Sequence, residues 1–225
     1  MRTPPEAVTA YLQRNVPAAA RAHARATISQ TGSMRLRPGG AWLPFTAEQW
    51  FATESVEFCW HARVKMAPLV TAVVEDAYEG GRGRLDAKLW GKLKMAHGEG
   101  PEIDRGEVQR YLAELAWNPV ALARNPALRF AAAADGALRV WAGERETYVD
   151  LHLDAAGDIA SIFTETRAFG ERGPTPWEGR FTDYAELGGV RLPRRGEVSW
   201  ILPEGRFTYW RGEIVGLGWG DAAAP

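Results

Sequence analysis

Apolar and polar residues alternate with a period of two over most of the chain, and one segment in the middle breaks that rhythm. Ala26, Ile28, Gln30, Gly32, Met34 and Leu36 share one face of a strand that Pro38-Gly39-Gly40 ends. Residues 45–53 predict a second strand. In residues 57–66, Phe58, Trp60, Ala62, Val64 and Met66 alternate with Glu57, Cys59, His61, Arg63 and Lys65, one buried face and one wet face. Residues 70–78, a turn at Glu79-Gly80-Gly81 and one strand over 84–95 complete a meander of four or five strands. Past the middle segment, hairpins resume. Residues 128–133 pair with 137–142 through Asp135-Gly136, and 147–153 with 159–169 through Ala155-Ala156-Gly157. Residues 178–187 pair with a short strand at 190–192 through Gly188-Gly189, and 197–202 with 207–215 through Pro203-Glu204-Gly205. The tail from Gly218 is expected to fray.

The interruption is helical. Asp104 and Glu107 fit a D-x-x-E start, and Val108, Tyr111, Leu112 and Leu115 form an apolar stripe. Asn118-Pro119 ends the helix or kinks it, with Pro119 as the first residue of another short turn that closes near Asn125-Pro126. A shorter helix is expected over 4–14, where Val8, Tyr11 and Leu12 fall at helical spacing. These elements predict a mainly β chain of about ten or more strands in one domain. Its parts are an N-terminal helical segment at 1–22, a first meander at 26–97, a helical lid at 104–125 and a second meander at 128–216. Antiparallel sheets this wide curl or close, and a mid-chain helix covers the concave face of such a half-barrel.

Composition narrows the function classes. The 225 residues carry 27 Lys+Arg against 28 Asp+Glu, so no global field draws the chain to nucleic acid or to an anionic surface. Ten tryptophans are many for this length, and each brings a large flat area suited to a core or to a pocket wall. Cys59 is the single cysteine, so no intramolecular disulfide forms. Residues 1–14 contain no apolar stretch of signal-peptide type, and no run of apolar residues has transmembrane length, from which a cytoplasmic protein is expected; the sequence does not indicate an oligomeric state, and a monomer is the default.

Several phrases recur in one order: Leu43-Pro44-Phe45-Thr46-Ala47-Glu48-Gln49-Trp50-Phe51, Gly100-Pro101-Glu102-Ile103-Asp104, Arg110-Tyr111-Leu112-Ala113-Glu114-Leu115-Ala116-Trp117 and Trp177-Glu178-Gly179-Arg180-Phe181-Thr182-Asp183-Tyr184. On these the sequence resembles a bacterial family of unknown function, over roughly 26–215. The order of strands, helix and strands also resembles the LolA/LolB lipoprotein-carrier fold, which implies a half-barrel with a helical lid over an apolar concavity. Lipoprotein carriers are exported or anchored, which sets this second resemblance against the cytoplasmic expectation.

The helix poses the sharpest chemical question. Opposite its apolar stripe lie Glu107, Arg110, Glu114, Trp117 and Asn118. Such a face is most often solvated and laced with i,i+3 and i,i+4 ion pairs. A tryptophan on it asks for a cover, whether strand, loop or ligand. The leading expectation is a non-enzymatic protein that holds a lipid or other hydrophobic ligand between sheet and helix, around Tyr111, Leu115 and Trp117. The residues expected to bind it are Glu102, Glu107, Arg110, Tyr111, Glu114, Leu115 and Trp117. The alternatives are an enzyme that uses carboxylates among Glu102, Asp104, Glu107 and Glu114, with Glu114 in a cleft, or a module that docks a partner through the wet helix face. Weaker candidates are Glu99, Glu102 and Asp104 around a divalent cation, Cys59 with His61 and Glu57 as a nucleophile or zinc set, and His152 with Asp154. Gly80-Gly81-Arg82-Gly83 reads as a hairpin turn, and the aromatic–basic run at Phe207, Tyr209, Trp210 and Arg211 runs against the even charge balance as a nucleic-acid site. The sequence calls for no cofactor, metal or nucleic acid.

Overall fold

A computed structural model describes residues 5–220. Thirteen antiparallel strands form one open, curved sheet. The first meander comprises β1 (Arg25–Met34), β2 (Leu43–Ala52), β3 (Phe58–Ala67), β4 (Val70–Glu79), β5 (Arg82–Leu89) and β6 (Leu93–Gly98). The second comprises β7 (Arg129–Ala132), β8 (Leu138–Trp141), β9 (Tyr148–Leu153), β10 (Ile159–Thr164), β11 (Trp177–Leu187), β12 (Val190–Leu202) and β13 (Gly205–Gly220). Each meander pairs in chain order, and β1 pairs with β13 to join them. The free edges are therefore β6 and β7, consecutive in the chain. The segment between them has to cross the open side of the half-barrel, and it does so as α2 (Pro101–Ala113), a 3₁₀ turn at Glu114–Ala116 and α3 (Pro119–Arg124). With α1 (Glu6–Asn15), helix α3 covers one end of the sheet. There Asn118 Nδ2 and Tyr111 Oη both donate to the carbonyl of Ala52, the last residue of β2.

A row of glycines sets the curvature. Register places Phe45, Gly32, Gly212, Gly196 and Phe181 side by side across five strands. A β-carbon on Gly196 would stand 2.7 Å from the Trp117 ring, and one on Gly212 would stand 2.6 Å from the Trp210 ring. Without those carbons the indoles lie against the backbone and the sheet bends beneath them. Trp117 meets Phe181 edge-on at 5.3 Å between centroids, and its Nε1 donates to the Pro193 carbonyl at 2.9 Å.

The structure departs from the sequence expectations in several places. Residues 84–95 are two strands, because the chain turns at Trp90-Gly91 with Trp90 itself at a φ of 48°. Residues 190–192 and 197–202 belong to one long strand, β12, which carries Pro193 in its interior. Pro193 pairs with Tyr184 on β11, but the β12–β13 ladder begins only at Arg195, so on its other side the proline stands where β12 has no partner strand and a missing N–H breaks no ladder; Asp183 beside it takes a φ of 62°. The helix begins at Pro101 rather than Asp104. Gly100 sits at a φ of 111° and Pro101 takes the first position, where its missing N–H costs nothing. Asp104 instead accepts the backbone N–H of Gly83 on β5 at 2.6 Å. Gly218 to Gly220 do not fray but extend β13 against β1; residues 221–225 of the expected tail lie outside the described residues. Among the described residues no helix is long and apolar enough to cross a membrane.

Candidate functional site

Between α2 and the concave face lies a cavity of about 410 Å³. That size falls within the range of roughly 300–1,000 Å³ usual for small-molecule sites. Its wall combines aromatic rings with a compact set of charges. Trp60 projects from β3, Trp177 from β11, Trp200 from β12, and Phe207, Tyr209 and Trp210 from β13. The Phe169 ring stacks on Trp200 at 4.6 Å, and Trp177 Nε1 donates to the Tyr209 hydroxyl at 3.1 Å.

The charged wall is built from both sides. On β4, Ala72, Val74, Asp76 and Tyr78 share the concave face with Val64, Ala62, Trp60 and Phe58 opposite them on β3. Asp76 is the one acid in that apolar row. Helix α2 lays Arg110 over it. One Arg110 amino group pairs with Asp76 Oδ2, Nε pairs with Glu114 Oε1 at 3.1 Å, and the guanidinium lies 5.0 and 5.2 Å from the Phe58 and Trp60 centroids. Gln49 Nε2 donates to the other Glu114 oxygen at 2.6 Å. Burial tends to neutralise Arg110, yet Glu114 and Asp76 beside it hold it firmly protonated. Glu114 is raised above the ordinary carboxylate range by burial, against the opposing pull of Arg110 and Gln49.

Glu107, 6% exposed, completes the wall. Burial, then the negative charge of Asp76, push its carboxyl well above the usual range, while Arg167 at 3.8 Å opposes them. Asp76 Oδ1 and Glu107 Oε2 are buried without a hydrogen-bond partner, and a proton on Glu107 directed at Asp76 would satisfy both oxygens. Arg167 is anchored by the Gly106 carbonyl and lies 4.6 Å over Trp177. Six charged side chains line the cavity: Arg35, Arg110, Arg167, Asp76, Glu107 and Glu114. Three arginines face three acids in this set, and burial pushes Glu107 toward its neutral form. Arg35 is the member without an acidic partner among the described residues. It is clamped by Trp42 at 4.6 Å and Phe207 at 5.5 Å, with Nε on the Thr208 carbonyl.

The expected solvated helix face is thus overturned. Glu107, Arg110, Glu114 and Trp117 line the cavity, Asn118 is buried beside them, and Trp117 is only 2% exposed. The sheet curls far enough to cover the polar face as well as the apolar one. Burial of Trp117 also removes the surface on which a partner was expected to dock. Tyr111 and Leu115 lie off the cavity wall: Tyr111 accepts from Asn125 Nδ2 at 2.9 Å, and Leu115 is fully buried. Glu102 is exposed on the first turn of α2. Asp76, Arg35 and Arg167 escaped the sequence reading. An acid in the period-two apolar row of β4 was the available signal for the first; the two arginines sit just past the ends of β1 and β10, where no periodicity marks them.

The weaker candidates resolve into local structure. The Cys59 thiol is pushed up to about 11 by burial and by Glu75 and Glu79, the reverse of an activated nucleophile. His152 faces Asp135 at 3.8 Å, while Asp154 accepts the N–H groups of Ala156 and Asp158 in the β9–β10 turn. Among the described residues no three His, Cys, Asp or Glu side chains converge as a metal site.

Residues 3–218 match the family of unknown function DUF6920. The chain belongs to that family. Curated proteins give no significant match to this DUF6920 chain. Among solved structures it is similar to a putative outer membrane lipoprotein-sorting protein domain from Vibrio parahaemolyticus, at 8% identity over 97% of this chain and 93% of that one, with a TM-score of 0.51. A LolA superfamily protein from Nitrosomonas europaea aligns at 11% identity over 88% and 86% of the two chains, with a TM-score of 0.47. A DUF1329 family protein from Desulfovibrio piger aligns at 8% identity over 97% and 92%, also with a TM-score of 0.47. This DUF6920 chain is mainly β, an open half-barrel similar in fold to the Vibrio domain.

Proposed function

We propose that this protein binds a lipid or other hydrophobic ligand in the cavity between sheet and helix. The ligand's apolar part lies among Trp60, Trp117, Trp177, Trp200 and Trp210, and an anionic head meets Arg35 at the rim. The observation that carries this reading is the cavity itself: about 410 Å³ walled largely by aromatic rings and not filled by the chain's own side chains. Apolar surface of that kind gains from leaving water with a ligand over it. The unpaired Arg35 adds a polar end, and an amphipathic ligand matches both. The fold shared with a putative lipoprotein-sorting domain is compatible with a carrier role.

Native mass spectrometry of the purified chain, with organic extraction of the same sample, tests this. A co-purifying amphipath, or saturable uptake of an added long-chain fatty acid, is expected. Ala168→Trp, which places an indole in the lining at a half-buried residue outside the named strands, is expected to abolish uptake without unfolding the chain. Failure of every acyl ligand to bind the folded protein contradicts the proposal.

A second reading has one specific observation behind it. Burial and the charge of Asp76 push the Glu107 carboxyl inside the cavity well above the usual carboxylate range, the direction a general acid needs. Both Glu114 oxygens are engaged by Arg110 and Gln49, which leaves no free base beside it. Turnover of an ester or glycoside that Glu107→Gln abolishes, with ligand binding intact, would favour catalysis over carriage.

A further inference from the structure

All four lysines of the chain, Lys65, Lys88, Lys92 and Lys94, fall in one corner of the sheet. Lys65 is near the end of β3, Lys88 near the end of β5, Lys92 in the β5–β6 turn and Lys94 on β6. None pairs with an acid among the described residues. Residues 63–73 and 88–96 contain no Asp or Glu at all, and Arg63 adds a fifth cation. Lys88 and Lys94 stand directly opposite each other in the β5–β6 ladder. Like charges so placed repel, and the arrangement calls for anions from outside.

The same corner holds most of the large apolar side chains that the described protein exposes. Leu69 is 96% exposed, Leu93 62% and Trp90 55%, with Met95 beside them on β6. Leu69 and Trp90 crown the β3–β4 and β5–β6 turns, linked by Trp90 Nε1 donating to the Leu69 carbonyl at 3.2 Å. Both adopt the left-handed backbone, with φ of 64° and 48°. Glycine or asparagine takes that conformation more cheaply, so bulky apolar residues there cost stability, and Leu69 buries almost nothing in return. Lysines on an edge strand also deter sheet-to-sheet aggregation. That role explains Lys94 but not Lys65, on interior strand β3, nor the two strained apolar tips.

Strand direction relates this corner to the cavity. β1, β3 and β5 run the same way, since β2 and β4 pair antiparallel between them. The exit of β1 at Met34, Arg35 and Leu36 therefore lies at the same end of the sheet as Leu69 and Trp90. Met34, Arg35 and Leu36 line the cavity, and Leu36 is itself exposed. The opposite end is covered by α1 and α3.

We propose that this end of the sheet docks on an anionic lipid bilayer. Leu69, Trp90, Leu93 and Met95 enter the boundary between headgroups and acyl chains, and the lysines meet lipid phosphates. Tryptophan and leucine with flanking lysine are the side chains that membrane interfaces favour. Charge complementarity selects the occupant: five cations with no ion-pair partner among the described residues fit a negatively charged surface, not a second copy of themselves. Docking would bring the cavity mouth to the membrane, yet the proposal stands apart from the cavity reading.

Flotation of the full chain with vesicles tests it, using phosphatidylcholine alone and phosphatidylcholine mixed with phosphatidylglycerol. The chain is expected to float with the mixed vesicles only and to be released by salt. Lys88→Gln and Lys94→Gln are each expected to weaken partitioning by about fivefold. Trp90→Ser is expected to weaken it with no loss of thermal stability. Ala168→Trp, which blocks the cavity, is expected to float as the wild type does. No flotation, equal flotation of the lysine variants, or loss of flotation in Ala168→Trp alone would overturn the proposal. So would a self-association at this corner, seen by analytical ultracentrifugation, that Trp90→Ser disrupts without any vesicle binding.

Discussion

The cavity wall and the lysine corner both set cations beside apolar rings, and they differ in how each charge is answered. In the cavity, Arg110 faces Asp76 and Glu114 and stacks near Phe58 and Trp60, and Arg167 is tied to Glu107 and Gly106. At the corner, none of the four lysines forms an ion pair among the described residues. Arginine suits the first setting, because its planar fork serves two carboxylates at once while its faces stack on rings. Lysine suits the second, a hydrated point charge on a long stem that reaches an outside anion. Buried charges must be answered within the fold, whereas surface charges can wait for a partner.

The contrast can be broken most severely at Arg110. Arg110→Met leaves the Asp76 and Glu114 carboxylates buried without their countercharge, which costs about 3–5 kcal/mol of stability by urea unfolding. Charge removal at Lys88 should stay within about 0.5 kcal/mol, because nothing in the fold depends on it. Comparable losses at the two sites would erase the distinction.

Gly196→Ala sharpens the cavity side. The added methyl meets the Trp117 indole at 2.7 Å, so ring and strand must part, at about 1–3 kcal/mol. Thermal denaturation and ligand uptake should fall together.

Glu107 supplies a dependence on pH that the corner lacks. Its folded pKa lies above its unfolded value, so the native state holds a proton that the unfolded chain has released. The associated stability is fully present below the unfolded value near 4.5 and is lost as pH rises toward the raised folded value. Glu107→Gln copies the protonated form and should flatten that decline, with the largest gain over wild type at neutral and alkaline pH. Chemical denaturation across the pH range reads the difference. A variant whose stability follows the wild-type pH curve would remove the account of a proton on Glu107.

The smallest expected change is at Leu69. Leu69→Gly relieves a left-handed residue and should stabilise the chain by about 1 kcal/mol, because the side chain packs against nothing. A stabilising substitution that also weakens vesicle binding would show strain retained for contact outside the molecule.

The strands were legible wherever apolar and polar positions alternated, as in Phe58, Trp60, Ala62 and Val64 on β3. The readings failed where tertiary context overrode local signals. Trp90 turns the chain at a residue type that seldom forms a turn, and Pro193 survives within β12 because the ladder with β13 begins only at Arg195. The helix was visible in its apolar stripe, but the burial of its other face was not, since that depends on how far the sheet curls. The glycines that permit the curl, at 32, 196 and 212, lie far apart in sequence and align only in register. Asp76 was legible in principle as the one acid on an apolar strand face. The lysine corner was hidden by an even net charge, because a total carries no information about where its charges lie.

Fluorescence quenching by a brominated fatty acid tests the central claim most directly. Trp60, Trp117, Trp177, Trp200 and Trp210 line the cavity, so a brominated acyl chain inside it contacts the chain's own reporters. Saturable quenching at a single site is expected in the wild type. It should be lost in Ala168→Trp and weakened in Arg35→Gln. Quenching that never saturates, or that persists unchanged in Ala168→Trp, would contradict a ligand held between sheet and helix.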